Sequence, residues 1–158
     1  AVITPGSTAP DFELPATAGE NFRLSDMLKK GPVLLLFYPL DWSPVCTDEF
    51  CSIRDGFREF SGLGVQVAGI SVDSIFSHKA FAEKLGISFP LLSDFNKEVC
   101  SMYGALHEEL LGLKGVAKRS AFLIDTGGTV RYAWVSDDPA RLPDLQEIKG
   151  AIEQLNTH

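Results

Sequence analysis

Hydrophobic and polar positions follow two alternating patterns along the chain. Short apolar runs bounded by Gly, Pro, Asp or Ser predict six β-strands: Asp11–Leu14, Asn21–Leu24, Val33–Tyr38, Gly64–Val72, Ser120–Asp125 and Val130–Val135. Apolar residues at helical spacing predict five helices: Ser25–Lys29 behind a Ser cap, Pro44–Phe60, Ser77–Leu85, Asn96–Gly104 and Pro139–Leu155.

This order of elements predicts an α/β fold with a mixed central sheet flanked by helices. Strands alternate with helices through most of the chain, and the turn Thr126–Gly128 joins the last two strands as a hairpin. The segment Glu108–Lys118 contains two glycines and is expected to form an irregular loop that could flank an active site.

Length and charge limit the kinds of protein that this chain can be. Its 158 residues, 45% of them hydrophobic, fit one compact domain spanning residues 1–158. The net charge of -7, without a cluster of Lys or Arg, argues against nucleic acid and anionic membranes as partners. The apolar run Val33–Tyr38 is too short to cross a bilayer, so we expect a cytoplasmic protein, although a removed organelle leader would leave no trace.

The three cysteines indicate redox chemistry. Their number is odd and their spacing uneven, which does not suit a secreted disulfide framework. Neither Cys-x-x-Cys pairs nor histidines at ligand spacing indicate zinc. We therefore expect reactive thiols in a reducing compartment, without a metal or other cofactor.

Cys46 has the sequence context of a reactive thiol. The buried strand ends before Pro39, Ser43 can cap the next helix, and Pro44 suits the first helical position. Cys46 is therefore predicted to lie in the first turn of that helix. Unpaired N–H groups and the helix dipole favour the thiolate there, and the thiolate is the nucleophilic form of cysteine.

Several reactions can use such a thiolate, and the neighbouring residues favour one. Acyl transfer of the papain type needs a histidine base, and none of the histidines, His78, His107 and His158, has a recognisable setting. Peroxide reduction instead needs donors that hold an O–O bond in line with the sulfur. The Ser43 hydroxyl, the N–H groups of Val45 and Cys46, and one arginine would supply them, while Pro39 would screen the thiolate from water.

The motif Pro39-x-x-x-Ser43-x-x-Cys46 resembles the peroxiredoxin signature Pro-x-x-x-Thr/Ser-x-x-Cys. The resemblance covers nearly the whole chain from Ala9 onward. It runs through Phe37–Glu49, Gly69–Asp73, Ser77-His78, Phe89–Asp94, Tyr103-Gly104 and Arg119–Asp125. It implies a thioredoxin-like fold with an N-terminal extension and an antioxidant thiol peroxidase that needs no metal or haem.

The resemblance also implies roles for individual residues. Cys46 would be the peroxidatic cysteine, shielded by Pro39 and contacted by the Ser43 hydroxyl. Arg119 would stabilise both the thiolate and the peroxide oxygens, and Glu49 would orient its guanidinium. Hydrogen peroxide and organic hydroperoxides are the implied substrates.

Cys51 resembles the resolving cysteine of the bacterioferritin-comigratory, or Q-type, subgroup, which acts within one chain. This implies a Cys46–Cys51 disulfide that thioredoxin or a similar dithiol reduces, in a monomer or a homodimer. On an intact helix, Cα atoms five residues apart are separated by about 8.6 Å. A disulfide needs a separation below about 7 Å. Our hypothesis is that the first turns of the helix unwind before the disulfide forms.

Other interpretations stay open at this stage. If Cys51 were only a packing residue, an external thiol would resolve the sulfenic acid. A thioredoxin-like disulfide oxidoreductase or a redox-regulated binding protein is the alternative from another class, although the Cys spacing here is longer than Cys-x-x-Cys. Cys100 is predicted to be a buried apolar residue, the histidines His78 and His107 to be surface or capping groups, and Phe76 and Phe81 to be core residues.

Overall fold

The computed structural model describes residues 3–156, apart from the side chains of residues 57, 58 and 156. Its β-strands, in chain order, are β1 Glu13–Leu14, β2 Phe22–Arg23, β3 Val33–Phe37, β4 Gln66–Ser71, β5 Leu91–Ser93, β6 Leu106–Leu110, β7 Leu113–Ala117, β8 Ser120–Ile124 and β9 Val130–Val135. Its helices are α1 Leu24–Leu28, α2 Pro44–Gly62, α3 Ile75–Leu85, α4 Glu98–Met102 and α5 Leu145–Asn156.

A five-stranded mixed sheet with the order β5-β4-β3-β8-β9 forms the centre of the fold. Strands β3, β4 and β5 are parallel, whereas β8 and β9 are antiparallel to their neighbours. Every residue of β3 is buried, because alternate side chains enter hydrophobic clusters on the two faces of the sheet. The α/β prediction with a mixed central sheet is confirmed.

The pairing of β3 with β8 places the ends of these two strands side by side. Phe37 pairs with Ser120 in the antiparallel register, so Arg119, which precedes β8, lies beside the residues that follow β3. The carboxyl ends of β3, β4 and β5 open on the same edge of the sheet. In open α/β sheets, this edge is where ligands bind.

Helix α2 begins where the sequence predicted and runs two residues further, to Gly62. Ser43 is the N-cap and Pro44 the first helical residue, as the Ser-Pro pair indicated. Its buried face has helical spacing and includes Cys46, Glu49, Phe50, Ile53 and Phe60. This face packs on the sheet, so the beginning of α2 is fixed against the ends of β3 and β8.

Three predictions of secondary structure were wrong, and one strand was missed. The segment predicted to be an irregular loop over Glu108–Lys118 is the hairpin β6–β7, which turns through Leu111 and Gly112, both at positive φ. Strand β5 was not predicted, because its three residues are too few for a periodic signal. Helix α1 begins at Leu24, so Ser25 is not its cap. Helix α5 begins at Leu145 rather than at Pro139, and Asp144 accepts hydrogen bonds from the first-turn amides.

Candidate active site

Cys46 is fully buried, and its sulfur faces a guanidinium group. Arg119 Nη2 donates to Cys46 Sγ over 3.1 Å, and Arg119 Nη1 donates to Glu49 Oε1. The remaining nitrogen, Nε, donates to the carbonyl of Pro139 over 3.0 Å. Because Cys46 and Glu49 are three residues apart on α2, they share a helix face, and the planar fork of Arg119 meets both.

Glu49 is a buried carboxyl with one oxygen free of the arginine. Burial raises the pKa of Glu49 to about 7, although Arg119 pulls it in the opposite direction. Among the described residues, no side chain or backbone group bonds to Glu49 Oε2. The carboxyl beside Arg119 is therefore more easily protonated than an exposed glutamate.

Ser43 and the start of α2 surround Cys46 from the other side. The Ser43 hydroxyl oxygen accepts a hydrogen bond of 3.3 Å from the Cys46 amide. This amide therefore already has a partner, whereas the sequence analysis expects it to hold the peroxide. The Thr47 amide donates to the Ser43 carbonyl over 2.9 Å. Cys46 thus lies in the first turn, where the helix dipole favours a negatively charged sulfur.

An apolar cavity of about 220 Å³ opens above this arrangement. Its lining combines Pro39, Ser43 and Arg119 with apolar residues from three segments: Leu40, Pro44, Val45, Leu110, Leu111, Leu113, Pro139 and Ala140. Leu111, at the tip of the β6–β7 hairpin, is 90% exposed. The cavity leads from an apolar rim to two of the polar groups expected to bind a peroxide.

Cys51 lies five residues, or about 1.4 turns, further along α2 and is only partly buried. All three thiols of the chain are free. Helix α2 is continuous from Pro44 to Gly62, so the spacing argument against a Cys46–Cys51 bond in the intact helix applies to the observed helix.

The prediction for His78 was wrong. Its ring is completely buried, with Nδ1 at 2.7 Å from Asp41 Oδ2 and Nε2 at 2.8 Å from the Leu92 carbonyl. Asp41 also accepts a hydrogen bond of 2.6 Å from the Tyr38 hydroxyl. These groups belong to what we call the Asp41 cluster: Tyr38, Asp41, Ser71, Asp73, Ser77 and His78.

Sequence reasoning missed the Asp41 cluster because its members come from three separate segments, namely residues 38–41, 71–73 and 77–78. The carboxyl and imidazole groups of Asp41, Asp73 and His78 bring ligand atoms within 4.8 Å of one another, and no other such set exists in residues 3–156. These atoms already bond to one another and to neighbouring hydroxyl and backbone groups.

The remaining predictions for single residues have mixed outcomes. Cys100 is fully buried and Phe81 is a core residue, as predicted. Phe76 is 79% exposed, so its assignment to the core was wrong. His107 is also buried rather than on the surface, and burial lowers its pKa. His158 lies outside the described residues.

The model of the AhpC/TSA family matches residues 5–133 of this chain. A putative peroxiredoxin bcp of Coxiella burnetii is 42% identical over 135 residues, which cover 84% of this chain and 88% of that protein. A chloroplastic 2-cysteine peroxiredoxin of Chattonella marina is 41% identical over 145 residues, covering 85% of this chain and 72% of the relative.

The fold is similar to that of solved peroxiredoxins as well. The crystal structure of peroxidoxin BcpB from Mycobacterium tuberculosis superimposes with a TM-score of 0.83 at 35% identity, covering 98% of this chain and 97% of the other. The fold is therefore thioredoxin-like, with β1 and β2 as the extension that precedes its first central strand. With a family match over residues 5–133 and relatives above 40% identity that span most of its length, the chain belongs to the AhpC/TSA family and is a peroxiredoxin, a thiol-dependent peroxidase.

Proposed function

We propose that Cys46 is the peroxidatic cysteine and that Arg119 is its principal electrostatic partner. The observation that carries this proposal is the contact of 3.1 Å between Arg119 Nη2 and Cys46 Sγ in a fully buried site. A charge-assisted hydrogen bond of this kind favours the thiolate over the thiol. The same guanidinium can donate to the oxygens of a peroxide as negative charge develops on the leaving oxygen.

The proposed oxidation step uses this geometry. The Cys46 thiolate attacks the terminal oxygen of the hydroperoxide, a sulfur–oxygen bond forms, and the O–O bond breaks. The products are a sulfenic acid on Cys46 and an alkoxide or hydroxide, which takes a proton from water and leaves as alcohol or water. Ser43 and Arg119 line the cavity from which the peroxide enters, and Pro39 limits the access of water to the sulfur.

Cys51 then resolves the sulfenic acid. Its thiol sulfur bonds to Cys46 Sγ, and water is released. Because the intact helix separates the two residues, the first turns of α2 must unwind before this step. A dithiol reductant of the thioredoxin type returns the disulfide to two thiols.

The wider assignment is an antioxidant enzyme that acts as one domain and does not bind nucleic acid. Within residues 3–156, no helix has the length and apolar character needed to cross a membrane. Monomer and homodimer are both compatible with the steps above, since both cysteines lie on one chain.

The apolar cavity supports organic hydroperoxides as good substrates alongside hydrogen peroxide. Arg119 and Ser43 would hold the peroxide oxygens at one side of the cavity, so the organic group of the substrate would lie among the leucines of β6 and β7. Removal of this apolar surface from water favours an alkyl or aryl group over a second hydroxyl.

Cysteine variants test the assignment. Reduced protein is mixed with one equivalent of hydrogen peroxide, and oxidation is followed by Trp fluorescence in a stopped-flow instrument and by mass spectrometry of the intact chain. Cys46→Ser should abolish rapid oxidation. Cys51→Ser should keep it but accumulate sulfenic acid instead of the intrachain disulfide. Cys100→Ser, which replaces the other buried thiol, is the matched control and should behave like the parent.

Two results would contradict the proposal. Rapid oxidation of Cys46→Ser would show that another residue is the nucleophile. A disulfide between Cys46 and Cys51 that forms with oxidised dithiols, while hydroperoxide reacts no faster than with free cysteine, would favour a disulfide oxidoreductase.

A further inference from the structure

The loop from Pro39 to Ser43 carries two of the groups proposed for peroxide reduction, and the Asp41 cluster lies directly behind it. Asp41 is in the middle of this loop and is buried. It is followed by Trp42, whose φ of 73° is a left-handed conformation that non-glycine residues seldom adopt. Such a conformation persists only when surrounding contacts hold it.

The side chain of Asp41 receives donors on both oxygens. The Tyr38 hydroxyl donates to Oδ1 over 2.6 Å, and the Ser77 hydroxyl donates to Oδ2 over 2.8 Å. His78 Nδ1 lies 2.7 Å from the same Oδ2. A buried carboxylate with three donors is well stabilised at this position.

The hydrogen bonds of His78 determine where its protons lie. Nε2 faces the Leu92 carbonyl at 2.8 Å, and a carbonyl can only accept, so Nε2 carries a hydrogen. Nδ1 faces a carboxylate oxygen of Asp41, so a further proton lies between these two atoms. The ring therefore joins the loop to strand β5 with a hydrogen bond on each side.

The loop backbone is held from the end of β4. The Asp41 amide donates to Asp73 Oδ2 over 2.7 Å, and the Ser71 hydroxyl donates to the same oxygen over 2.6 Å. Both the backbone and the side chain of Asp41 are thus fixed to the edge of the parallel strands. A rigid support behind a catalytic loop is what keeps its reacting groups within a fraction of an ångström of their working positions.

We infer that His78 is a positioning residue for peroxide reduction: through Asp41 it holds the Pro39–Ser43 loop in the conformation that places the proline shield and the Ser43 hydroxyl beside Cys46. His78 contacts neither the sulfur nor the substrate in this assignment. The inference rests on the proposed role of Cys46 and adds a residue in α3 to the determinants of the rate.

Comparison of two reactions of Cys46 distinguishes a positioning role of His78 from a general disturbance of the protein structure around Cys46. The experiment uses a Cys51→Ser, Cys100→Ser background, so that only Cys46 reacts. The rate constant with hydrogen peroxide, which needs the loop, is compared with the rate constant for alkylation by iodoacetamide, which needs only an accessible thiolate. The variants are His78→Gln, Asp41→Asn and the double variant.

We expect His78→Gln and Asp41→Asn each to lower the peroxide rate constant at least tenfold, while alkylation is unchanged or faster. The double variant should be about as slow as the slower single variant, because both changes break one connection. His107→Gln, which replaces a second buried histidine, is the matched control and should stay within twofold of the parent.

Equal losses in the two reactions, or losses that multiply in the double variant, would overturn the inference. So would peroxide rates within twofold of the parent in folded variants. If His78→Gln does not fold, Asp41→Asn changes the group that His78 contacts, and an unchanged peroxide rate in it would count equally against positioning. Failure of the background protein itself to react rapidly with peroxide would instead reject the role of Cys46.

Discussion

Cys46 and Cys51 are five residues apart on helix α2, but the protein holds them differently. Cys46 is fully buried, lies in the first helical turn, and accepts a hydrogen bond from Arg119. Cys51 is partly exposed on a different side of the helix. Fixed donors suit the nucleophile that we propose at Cys46, whose transition state must be stabilised, whereas the resolving thiol that we propose at Cys51 has to change its position to react.

The difference also suggests how the two steps are ordered. While Cys46 is a thiolate, its charge-assisted contact with Arg119 helps to hold the first turn of α2 against the sheet. A sulfenic acid is neutral, so this contact weakens once the sulfur has been oxidised. We expect unwinding of α2 to become easier after oxidation than before it, which brings Cys51 within reach at the right stage.

Removing the guanidinium of Arg119 should have the largest effect on the difference between Cys46 and Cys51. Arg119→Ala is expected to slow sulfenic acid formation by about 10²–10³-fold, the usual cost of losing one preorganised donor. Arg119→Lys keeps the charge but not the planar fork, so an intermediate loss is expected. Stopped-flow oxidation by hydrogen peroxide measures both rates.

Arg131→Ala is the control for this prediction, because Arg131 forms an exposed ion pair with Asp125. In a Cys46→Ser background, Arg119→Ala should leave the alkylation rate of Cys51 unchanged. A comparable slowing at Cys51 would mean that Arg119 supports the whole helix rather than the nucleophile.

Glu49, the buried carboxyl on the same helix face as Cys46, should make the stability of the protein depend on pH. The pKa of Glu49 is raised from an ordinary value of 4.5 to about 7 by burial, so the folded protein keeps a proton that the unfolded chain releases. The free energy of unfolding should therefore fall as pH rises between these values, by up to about 1.4 kcal/mol per pH unit.

Glu49→Gln should flatten this slope, because glutamine does not titrate. Chemical denaturation at several pH values between 4.5 and 7.5 gives the two curves, whose difference isolates Glu49. Asp48→Asn changes an exposed acid of the same helix and serves as the control. Parallel curves for parent and Glu49→Gln would exclude a titration of Glu49 in this range.

A change at the rim of the cavity should have a smaller effect on the oxidation rate, and one that depends on the hydroperoxide. Leu111→Ser removes apolar surface from the rim of the cavity and should lower the oxidation rate with cumene hydroperoxide about fivefold, equivalent to about 1 kcal/mol of apolar contact. Hydrogen peroxide has no organic group, so its rate should not change. The rate of disulfide formation by Cys51 should also be unaffected.

Phe76→Ser provides the matched control for Leu111→Ser, because Phe76 is similarly exposed but does not line the cavity. Equal effects of Leu111→Ser on both hydroperoxides would show that the hairpin shapes the site without contacting the substrate.

Local signals in the sequence predicted the parts of the site that lie close together in the chain. The start of α2 was predicted correctly, because a Ser cap, a Pro at the first helical position and a preceding buried strand are all local features. The positions of Arg119 and Glu49 came from the family resemblance, and the β3–β8 register explains why they meet.

The features that were missed depend on residues far apart in the chain. His78 has no local mark of burial, since its partners Asp41 and Leu92 are 37 and 14 residues away. The β6–β7 hairpin was hidden by its charged residues and its glycines, which weaken the alternating pattern of a strand. Exposed Phe76 was misassigned because hydrophobicity alone does not say which side of a helix faces the core.

The smallest expected effect concerns the helix around Cys51. Ser52 and Ser61 are both exposed residues of α2, but only Ser52 lies close to the part that we propose unwinds when the disulfide forms. Alanine has a higher helix propensity than serine by about 0.5 kcal/mol, so Ser52→Ala should slow disulfide formation about twofold. Ser61→Ala, the matched control, should stabilise the protein similarly without this effect. Disulfide formation is timed by quenched mass spectrometry after one equivalent of peroxide.

The two serine variants distinguish how far the helix unwinds. If both variants slow disulfide formation equally, unwinding extends along most of α2. If neither variant slows it, Cys51 reaches Cys46 without unwinding of the helix at residue 52, and the contrast between a fixed and a mobile cysteine would have to be abandoned.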